Sequence, residues 1–597
     1  MDFRNVAIIA HVDHGKTTLV DALLKQSWTF RENQEVWTCL MDSNDQEKER
    51  GITIYSKNTA VTYKDTKINI IDTPWHADFS SEVERVLRMV DSVILVVDAY
   101  EWPMPQTKFV LKKSIELWLK PLVVINKIDK PTARVDYVVD EVFELMEQLW
   151  ANDEQLDFPV VYAAARDGIA KLSIDDKSDN IIPLFESILK NVKPAKSDIE
   201  APFRMQVANL DYDNFLGRMW VGRIYEWKVK VGQQVVIIWN DWEKRKGKIA
   251  DILVTEWLNK VKVKEAVAWD IVQIAWISDI FVWETVCENE EQEALPAIHI
   301  DEPTYKMKFL VNNSPFAGKE GKYVTSRQIK ERLEKEMETN VWLKINFLWD
   351  EFEVAGRWEL HLSVLIETMR REWFELQVGA PEVVMKEIDG KKYEPIEIVT
   401  IFTPTEFAGS IIEKLWKRKW EMQEMQEENG ITNLTFRIPA RWLIGFKWEF
   451  TTMTKWEWIL ASIFDKYEPY KGKIEKREVG SMISWEQGKT MNFSLWKLQE
   501  RWPIFVTAWT EVYEWMVIWE YLKGWDLVVN PCKNKKLTNV RASGTDEAMK
   551  LTPPRLMTLE QSIDYIWPDE YVEITPTKVR IRKKYLTENE RKKHKKG

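Results

Sequence analysis

Short, wholly apolar runs recur through the first two hundred residues, at 6–10, 68–71, 93–97 and 122–125. Each is too brief for a helix and is bounded by polar residues, the pattern of a strand buried on both faces. Between them, residues 19–26, 82–89 and 109–118 place apolar side chains at helical spacing. Strand–helix alternation predicts an α/β doubly wound domain over residues 1–197. The pattern stops near residues 191–202. From 201 to 300 the chain turns to Val-rich short strands broken by turns, as at 228–238, which predicts a β-barrel. Residues 302–387 read as strand, helix, two strands, helix and strand, a ferredoxin-like α+β order. A similar unit is predicted over 394–474. Residues 478–597 are again strand-rich and end in a basic arm. The fold class expected is therefore multidomain, α/β and β.

Composition narrows the function classes. A chain of 597 residues carries about four domains as a length prior. With 45% hydrophobic and 30% charged residues, it can bury real cores and is not disordered throughout. No apolar run approaches the roughly 18 residues of a membrane helix, and residues 6–10 are too short to be a secretory leader. Cys39, Cys287 and Cys532 fit no zinc spacing and point to a reducing, cytoplasmic setting. The net charge of −11 hides an asymmetry: residues 578–597 hold ten Lys and Arg against two Glu, a net +8, leaving −19 on the remainder. Lys578, Arg580, Arg582, Lys583, Lys584, Arg591, Lys592, Lys593, Lys595 and Lys596 are thus candidate RNA-phosphate contacts. The alternative is a solvated tail.

Candidate chemistry lies at the ends of the predicted strands. Ala10-His11-Val12-Asp13-His14-Gly15-Lys16-Thr17-Thr18 sits between a strand and a helix and matches the P-loop, with Ala10 in place of the first Gly. Such a loop wraps backbone N–H groups round phosphates, so Asp13, His14, Gly15, Lys16, Thr17 and Thr18 are the candidate contacts. Lys16 is placed for the β/γ oxygens and Thr17 for Mg²⁺. Asp72-Thr73-Pro74 ends the next core strand, where a carboxylate reaches the Mg²⁺ shell, through water. Asn126-Lys127-Ile128-Asp129 follows the 122–125 strand, and a carboxylate at Asp129 can accept from both guanine N1 and N2. Thr53, in Arg50-Gly51-Ile52-Thr53, could add a second hydroxyl to Mg²⁺ as a switch loop orders. His76 could orient the attacking water. As an isolated residue it would read as a helix-start histidine.

These residues resemble the translational GTPases, elongation factor G and LepA among them. The chain is most similar to the BipA (TypA) family. More specific to that family are Pro103-Met104-Pro105-Gln106-Thr107, Asp153-Glu154-Gln155-Leu156-Asp157-Phe158-Pro159, Ser314-Pro315-Phe316-Ala317-Gly318-Lys319-Glu320-Gly321-Lys322 and Arg541-Ala542-Ser543-Gly544-Thr545-Asp546-Glu547-Ala548. The resemblance implies a P-loop GTPase domain, a β-barrel, two ferredoxin-like domains (the second like the C-terminal domain of elongation factor G) and a family-specific C-terminal domain. It also implies GTP/GDP and Mg²⁺ as ligands, His76 as catalytic residue, and Ala164 and Ala165 beside the guanine O6. The implied partners are the ribosome, its rRNA, tRNA and stalk proteins, with no membrane, for a monomer acting in large-subunit assembly and stress-adaptive translation. A translocation factor like elongation factor G or LepA is the alternative within the class.

The chain departs from the family where it carries tryptophan. Trp75, in the switch after Asp-Thr-Pro, and Trp102, Trp269, Trp358, Trp373 and Trp442 all stand at family Gly positions. The chain has 32 Trp and only 21 Gly, whereas about 7% Gly would give roughly 42. If Trp75 is the native residue, it obstructs the switch backbone and a hydrolysis-defective, GTP-sensing ribosome-binding module is expected. If many tryptophans are glycines in the working protein, through a codon such as UGA that its host reads as Gly, the switch is intact.

Overall fold

The structure, a computed structural model, describes residues 2–11, 13–27, 45–50, 53, 56–73, 80–100, 105–194, 201–213, 216–239, 243–275, 282, 284–296, 303–340, 343–349, 351–357, 359–416, 420–428, 431–446, 450, 459–472, 480–499, 504–521, 523–534 and 551–586. The chain divides into two compact units, Met1–Asp301 with Glu338–Val341, and Glu302–Met337 with Trp342–Gly597. Among the described residues no helix is long and apolar enough to cross a membrane.

The first unit begins with a seven-stranded sheet: β1 (Asp2–Ala10), β2 (Lys57–Tyr63), β3 (Thr66–Asp72), β4 (Ser92–Asp98), β5 (Lys120–Asn126), β6 (Val160–Ala164) and β7 (Ile169–Lys171). Its order is β2-β3-β1-β4-β5-β6-β7. The middle five strands are parallel, with β2 and β7 antiparallel at the edges. Helices α1 (Lys16–Ser27), α2 (Asp45–Arg50), α3 (Ser80–Met89), α4 (Pro105–Glu116), α5 (Val135–Gln148), α6 (Asp153–Leu156) and α7 (Ile182–Asn191) connect the strands. Val93, Ile94, Leu95, Val96 and Val97 of β4 are all at most 1% exposed. Helices cover both faces, so the strand reads as an unbroken apolar run. At about 1.5–3 kcal/mol each, these five side chains alone supply on the order of 10 kcal/mol of hydrophobic free energy.

The β-rich part follows: β8 (Arg204–Asp213), β9 (Gly217–Glu226), β10 (Lys228–Lys230), β11 (Gln234–Trp239), β12 (Glu243–Lys248), β13 (Asp251–Glu256), β14 (Asn259–Val263), β15 (Glu265–Val267), β16 (Ile271–Ala275) and β17 (Thr285–Cys287). Eight of these form one antiparallel sheet, β12-β11-β17-β8-β9-β16-β13-β14, and β10 pairs β15. Its apolar residues and those of α3–α5 share one core cluster. The junction is also fixed by buried polar groups. Lys67 Nζ donates to both carboxylate oxygens of Asp270 at 2.8 and 2.9 Å, and Asn5 Nδ2 donates to the Trp269 carbonyl at 2.9 Å. A buried charge is tolerated only when paired in this way.

The second unit contains β18 (Tyr305–Val311), α8 (Ser326–Thr339), β19 (Lys344–Phe347), β20 (Glu351–Gly356), α9 (Glu359–Arg371), β21 (Leu376–Gly379), β22 (Glu382–Val383), β23 (Lys386–Ile388), β24 (Lys391–Pro404), α10 (Thr405–Trp416), β25 (Glu421–Glu428), β26 (Ile431–Pro439), β27 (Ile459–Pro469), β28 (Gly480–Ser484), β29 (Gly488–Lys489), α11 (Asn492–Gln499), β30 (Glu511–Val512), β31 (Met516–Tyr521), β32 (Leu527–Val529), α12 (Leu559–Tyr565), β33 (Glu570–Ile574) and β34 (Val579–Lys583). Strands β23–β27 make a separate five-stranded sheet.

The 302–387 and 478–597 segments, expected as separate domains, share one sheet. β21 pairs β33 antiparallel, Val378 opposite Val572, and the order β19-β20-β18-β21-β33-β34-β31-β28-β32 runs through both. One buried carboxylate, Glu573, bonds across the seam, and a second, Glu375, shares its Asn312 partner. Glu573 accepts from Ser314 Oγ (2.7 Å), Asn312 Nδ2 (3.0 Å), Tyr513 OH (2.6 Å) and Arg580 Nη1 (3.1 Å). Glu375 accepts from Asn312 Nδ2 (2.7 Å) and the backbone N–H groups of Gly318 (2.8 Å) and Gly321 (3.0 Å). Burial and the facing Glu573 push the Tyr513 hydroxyl well above its ordinary value.

Candidate functional site

All five parallel strands run towards one edge of the sheet, and the candidate residues lie at their carboxyl ends, where ligands bind in open α/β sheets. β1 ends at Ala10, β3 at Asp72, β4 at Asp98, β5 at Asn126 and β6 at Ala164. After β1 the chain turns through Asp13 (φ 61°) and Gly15 (φ 92°) into the first turn of α1. A Cβ on Gly15 would stand 2.3 Å from Asn126 Nδ2, so this position admits only glycine.

Three predicted residues meet at Lys16. Its ammonium lies 2.7 Å from Asp72 Oδ1, 2.6 Å from Thr53 Oγ1 and 3.0 Å from the Thr73 carbonyl. Lys16, Thr53 and Asp72 are all buried. P-loop lysine, switch threonine and strand-end aspartate, far apart in sequence, thus form one cluster. The oxygens round it, a carboxylate, a hydroxyl and a backbone carbonyl, are the hard donors Mg²⁺ takes beside phosphate. Thr17 lies in the same helical turn as Lys16 and is half-buried, and Thr18 is exposed.

Asn126 ties the P-loop to the 164–165 turn. Its Nδ2 donates to the His14 carbonyl at 2.8 Å, and its Oδ1 accepts from Ala165 N–H at 3.0 Å. The Ala165 N–H, expected beside guanine O6, donates to Asn126 in this structure. Gln26 braces the other end of that turn, donating to the Gly168 carbonyl at 2.6 Å and accepting from Ile181 N–H at 2.6 Å. Asp129 is exposed on the loop beyond, free to face a base.

Asp98 was not a sequence candidate. It is fully buried; its carboxylate lies 2.6 Å from Lys127 Nζ and 3.3 Å from Lys130 Nζ, and it accepts from Tyr100 N–H at 2.9 Å. Burial alone would raise its pKa, but the Lys127 and Tyr100 hydrogen bonds and the two ammonium charges together hold it below the usual carboxylate value. It clamps Lys127 in the left-handed region (φ 65°), which shapes the loop carrying Asp129. Its signal was available: like Asp72, it is the carboxylate ending an apolar strand.

His76 and Trp75 lie outside the described residues, as do Arg591, Lys592, Lys593, Lys595 and Lys596. The described part of the basic arm needs correction. Arg580, Arg582 and Lys583 belong to β34 and are at most 6% exposed. Arg580 pairs with Glu573 and Glu320, and Arg582 donates to Asn313 and Gln377. Lys583 pairs with Asp526, Asp569 and Glu570. Their charges are spent on internal carboxylates and amides, so these three do not serve as phosphate contacts. Lys578 and Lys584 are less enclosed.

Comparison with known proteins agrees with this geometry. Residues 1–194 match the elongation factor Tu GTP binding domain, 391–478 the elongation factor G C-terminus, and 479–588 the TypA/BipA C-terminal domain. The large ribosomal subunit assembly factor BipA of Escherichia coli (strain K12) is 51% identical over 592 residues, covering 98% of each chain. The chain belongs to the BipA family. Its Bacillus subtilis (strain 168) relative of the same name is 50% identical over 596 residues, 99% of this chain and 97% of that one. The relative from Synechocystis sp. (strain ATCC 27184 / PCC 6803 / Kazusa) is 50% identical over 586 residues, 98% of each. A crystal structure of a Thermus thermophilus protein shares the fold, with TM-score 0.55 at 14% identity, covering 79% of this chain and 97% of that one. The enzyme is a GTPase, with the guanine-nucleotide-binding domain of the translation factors.

Proposed function

We propose that this GTPase binds the ribosome, hydrolyses GTP there, and acts in assembly of the large ribosomal subunit and in stress-adaptive translation. The observation that carries the reading is the Lys16–Thr53–Asp72 cluster in a chain related over its whole length to named large-subunit assembly factors. The TypA/BipA C-terminal domain favours this over translocation.

The residues present suit GTP and Mg²⁺. Mg²⁺ neutralises charge developing on the transferred phosphoryl group, and Thr17, Thr53 and Asp72 would hold it, Asp72 through water. Lys16 takes the β/γ oxygens, helped by N–H groups of the Asp13–Thr18 loop. Asp129 reads guanine N1 and N2, and Asn126 keeps the loop in place for it. His76 orients the attacking water. Mutation to His76→Ala is expected to leave GTP binding nearly intact and to slow ribosome-stimulated turnover at least about a hundredfold, a few kcal/mol of barrier. Undiminished turnover would remove His76 from the mechanism.

The RNA-contact assignment now rests on Lys578, Lys584, Arg591, Lys592, Lys593, Lys595 and Lys596, with rRNA and tRNA as targets. Stalk proteins, a cytoplasmic location and a monomeric state complete the proposal. Deleting residues 587–597 should weaken ribosome binding and flatten its salt dependence, because fewer counterions are released. An unchanged slope in a binding titration from low to high salt would make the arm a solvated tail.

A further inference from the structure

Among the described residues, twelve other than glycine have a positive φ, and eight of them are tryptophan: Trp118, Trp150, Trp227, Trp257, Trp269, Trp373, Trp509 and Trp515, with φ between 57° and 76°. The remaining four are two Asp and two Lys. Asp tolerates this region through its short polar side chain; a bulky ring does not. Just as many glycines, eight, have positive φ.

The local hydrogen bonds and strand register show what seven of the eight positions require. After α4, Trp118 N–H donates to the Ile115 carbonyl and Leu119 N–H to Ser114. After α5, Trp150 N–H donates to Glu147 and Ala151 N–H to Met146; after α9, Trp373 N–H donates to Arg370 and Phe374 N–H to Met369. All three are Schellman ends, with tryptophan at the left-handed position that glycine fills. Trp269, Trp509 and Trp515 are each third in a four-residue turn, closed by Asp270 N–H to Val267, Thr510 N–H to Thr507 and Met516 N–H to Tyr513. That is the glycine position of a type II turn. Trp257 is first of the two residues joining β13 to β14, whose closing pair is Glu256 and Asn259, the glycine position of a II′ hairpin.

The indoles gain little in return. Trp118 is 79% exposed and Trp150 90%, although tryptophan is highly buried on average. Trp269 is half-buried against the core with the Arg223 guanidinium 4.1 Å over its ring, but its indole N–H is buried without an acceptor. By contrast Trp220 and Trp519, inside strands and buried, are not among the positive-φ residues.

We propose that the native protein carries glycine at residues 118, 150, 227, 257, 269, 373, 509 and 515, because the gene's UGA codons are read as Gly by its host and as Trp under another code. One replacement residue at so many glycine-requiring positions needs a single cause, and a codon supplies it. The same reassignment places glycine at 75. Only that extension rests on the GTPase reading, since glycine is the residue the family carries after Asp-Thr-Pro in the switch.

The test is tandem mass spectrometry of the protein purified from its own cells and digested with trypsin. Peptides 114–127 (trypsin does not cleave the Lys120–Pro121 bond), 135–166 and 372–386 should show glycine at 118, 150 and 373. Tryptophan at any of the three would overturn the proposal. The gene itself should carry UGA at all eight codons, and UGG at any of them contradicts the stated cause. Neither readout depends on GTP turnover, so a failure of the functional reading would leave both standing.

Discussion

Lys16 holds three oxygens at once, on Asp72, Thr53 and Thr73, and this is how one side chain couples the P-loop to both switch segments. In the proposed function a γ-phosphate brought to Lys16 competes with those oxygens, and Thr53 and Asp72 would feel its arrival directly. At the other end of the nucleotide, the proposed function leaves discrimination to one exposed carboxylate, Asp129. In Asp129→Asn an amide replaces one acceptor with a donor. GTP affinity should fall at least about tenfold, the loss of one charge-assisted hydrogen bond, while xanthosine triphosphate gains. Competition binding with the two nucleotides checks this, and unchanged GTP preference would remove Asp129 from base recognition. P-loop, Asp-Thr-Pro and Asn-Lys-x-Asp were legible in the sequence because each is a short string closing an apolar strand. That Asn126 braces the loops and consumes the Ala165 N–H was not, because the bond spans 39 positions.

At the scale of elements, buried ion pairs hold the strand ends, Lys16 with Asp72 and Lys127 with Asp98. Asp98, at the end of β4, has a folded-state pKa below its ordinary value. A depressed carboxyl contributes stability above its unfolded pKa of about 4, and loses it as pH falls through the folded value. Asp98→Asn should therefore lower stability at neutral pH and flatten the acid limb of the profile below about pH 4. Urea titrations from neutral to acid pH measure this; an unaltered slope would show that Asp98 does not titrate with folding. Turns and helix ends carry the opposite problem. A left-handed conformation costs an L-residue about 1–2 kcal/mol, so the eight Trp turns sum to on the order of 10 kcal/mol. That equals the whole stability of a typical domain, about 5–15 kcal/mol. Sequence alone showed the Trp excess and the family's glycine positions among them; only the backbone shows which of the described positions demand glycine.

For the whole molecule, strand–helix alternation identified the nucleotide-binding part, since its core is built from neighbouring segments. The sheet joining β21 to β33 was hidden, because it pairs strands about two hundred residues apart and no local pattern records such a partner. The same blindness sent Arg580, Arg582 and Lys583 to a solvent-facing arm; a count of charges cannot see the buried carboxylates opposite them. The proposed function makes this molecule a guanine-specific, ribosome-dependent GTPase. It is tested most directly by phosphate release from the protein purified from its own cells, with GTP or ATP, with and without ribosomes. Mg²⁺-dependent release from GTP that ribosomes accelerate at least about tenfold is expected, with none above background from ATP. Equal release from ATP, or no acceleration by ribosomes, would contradict it.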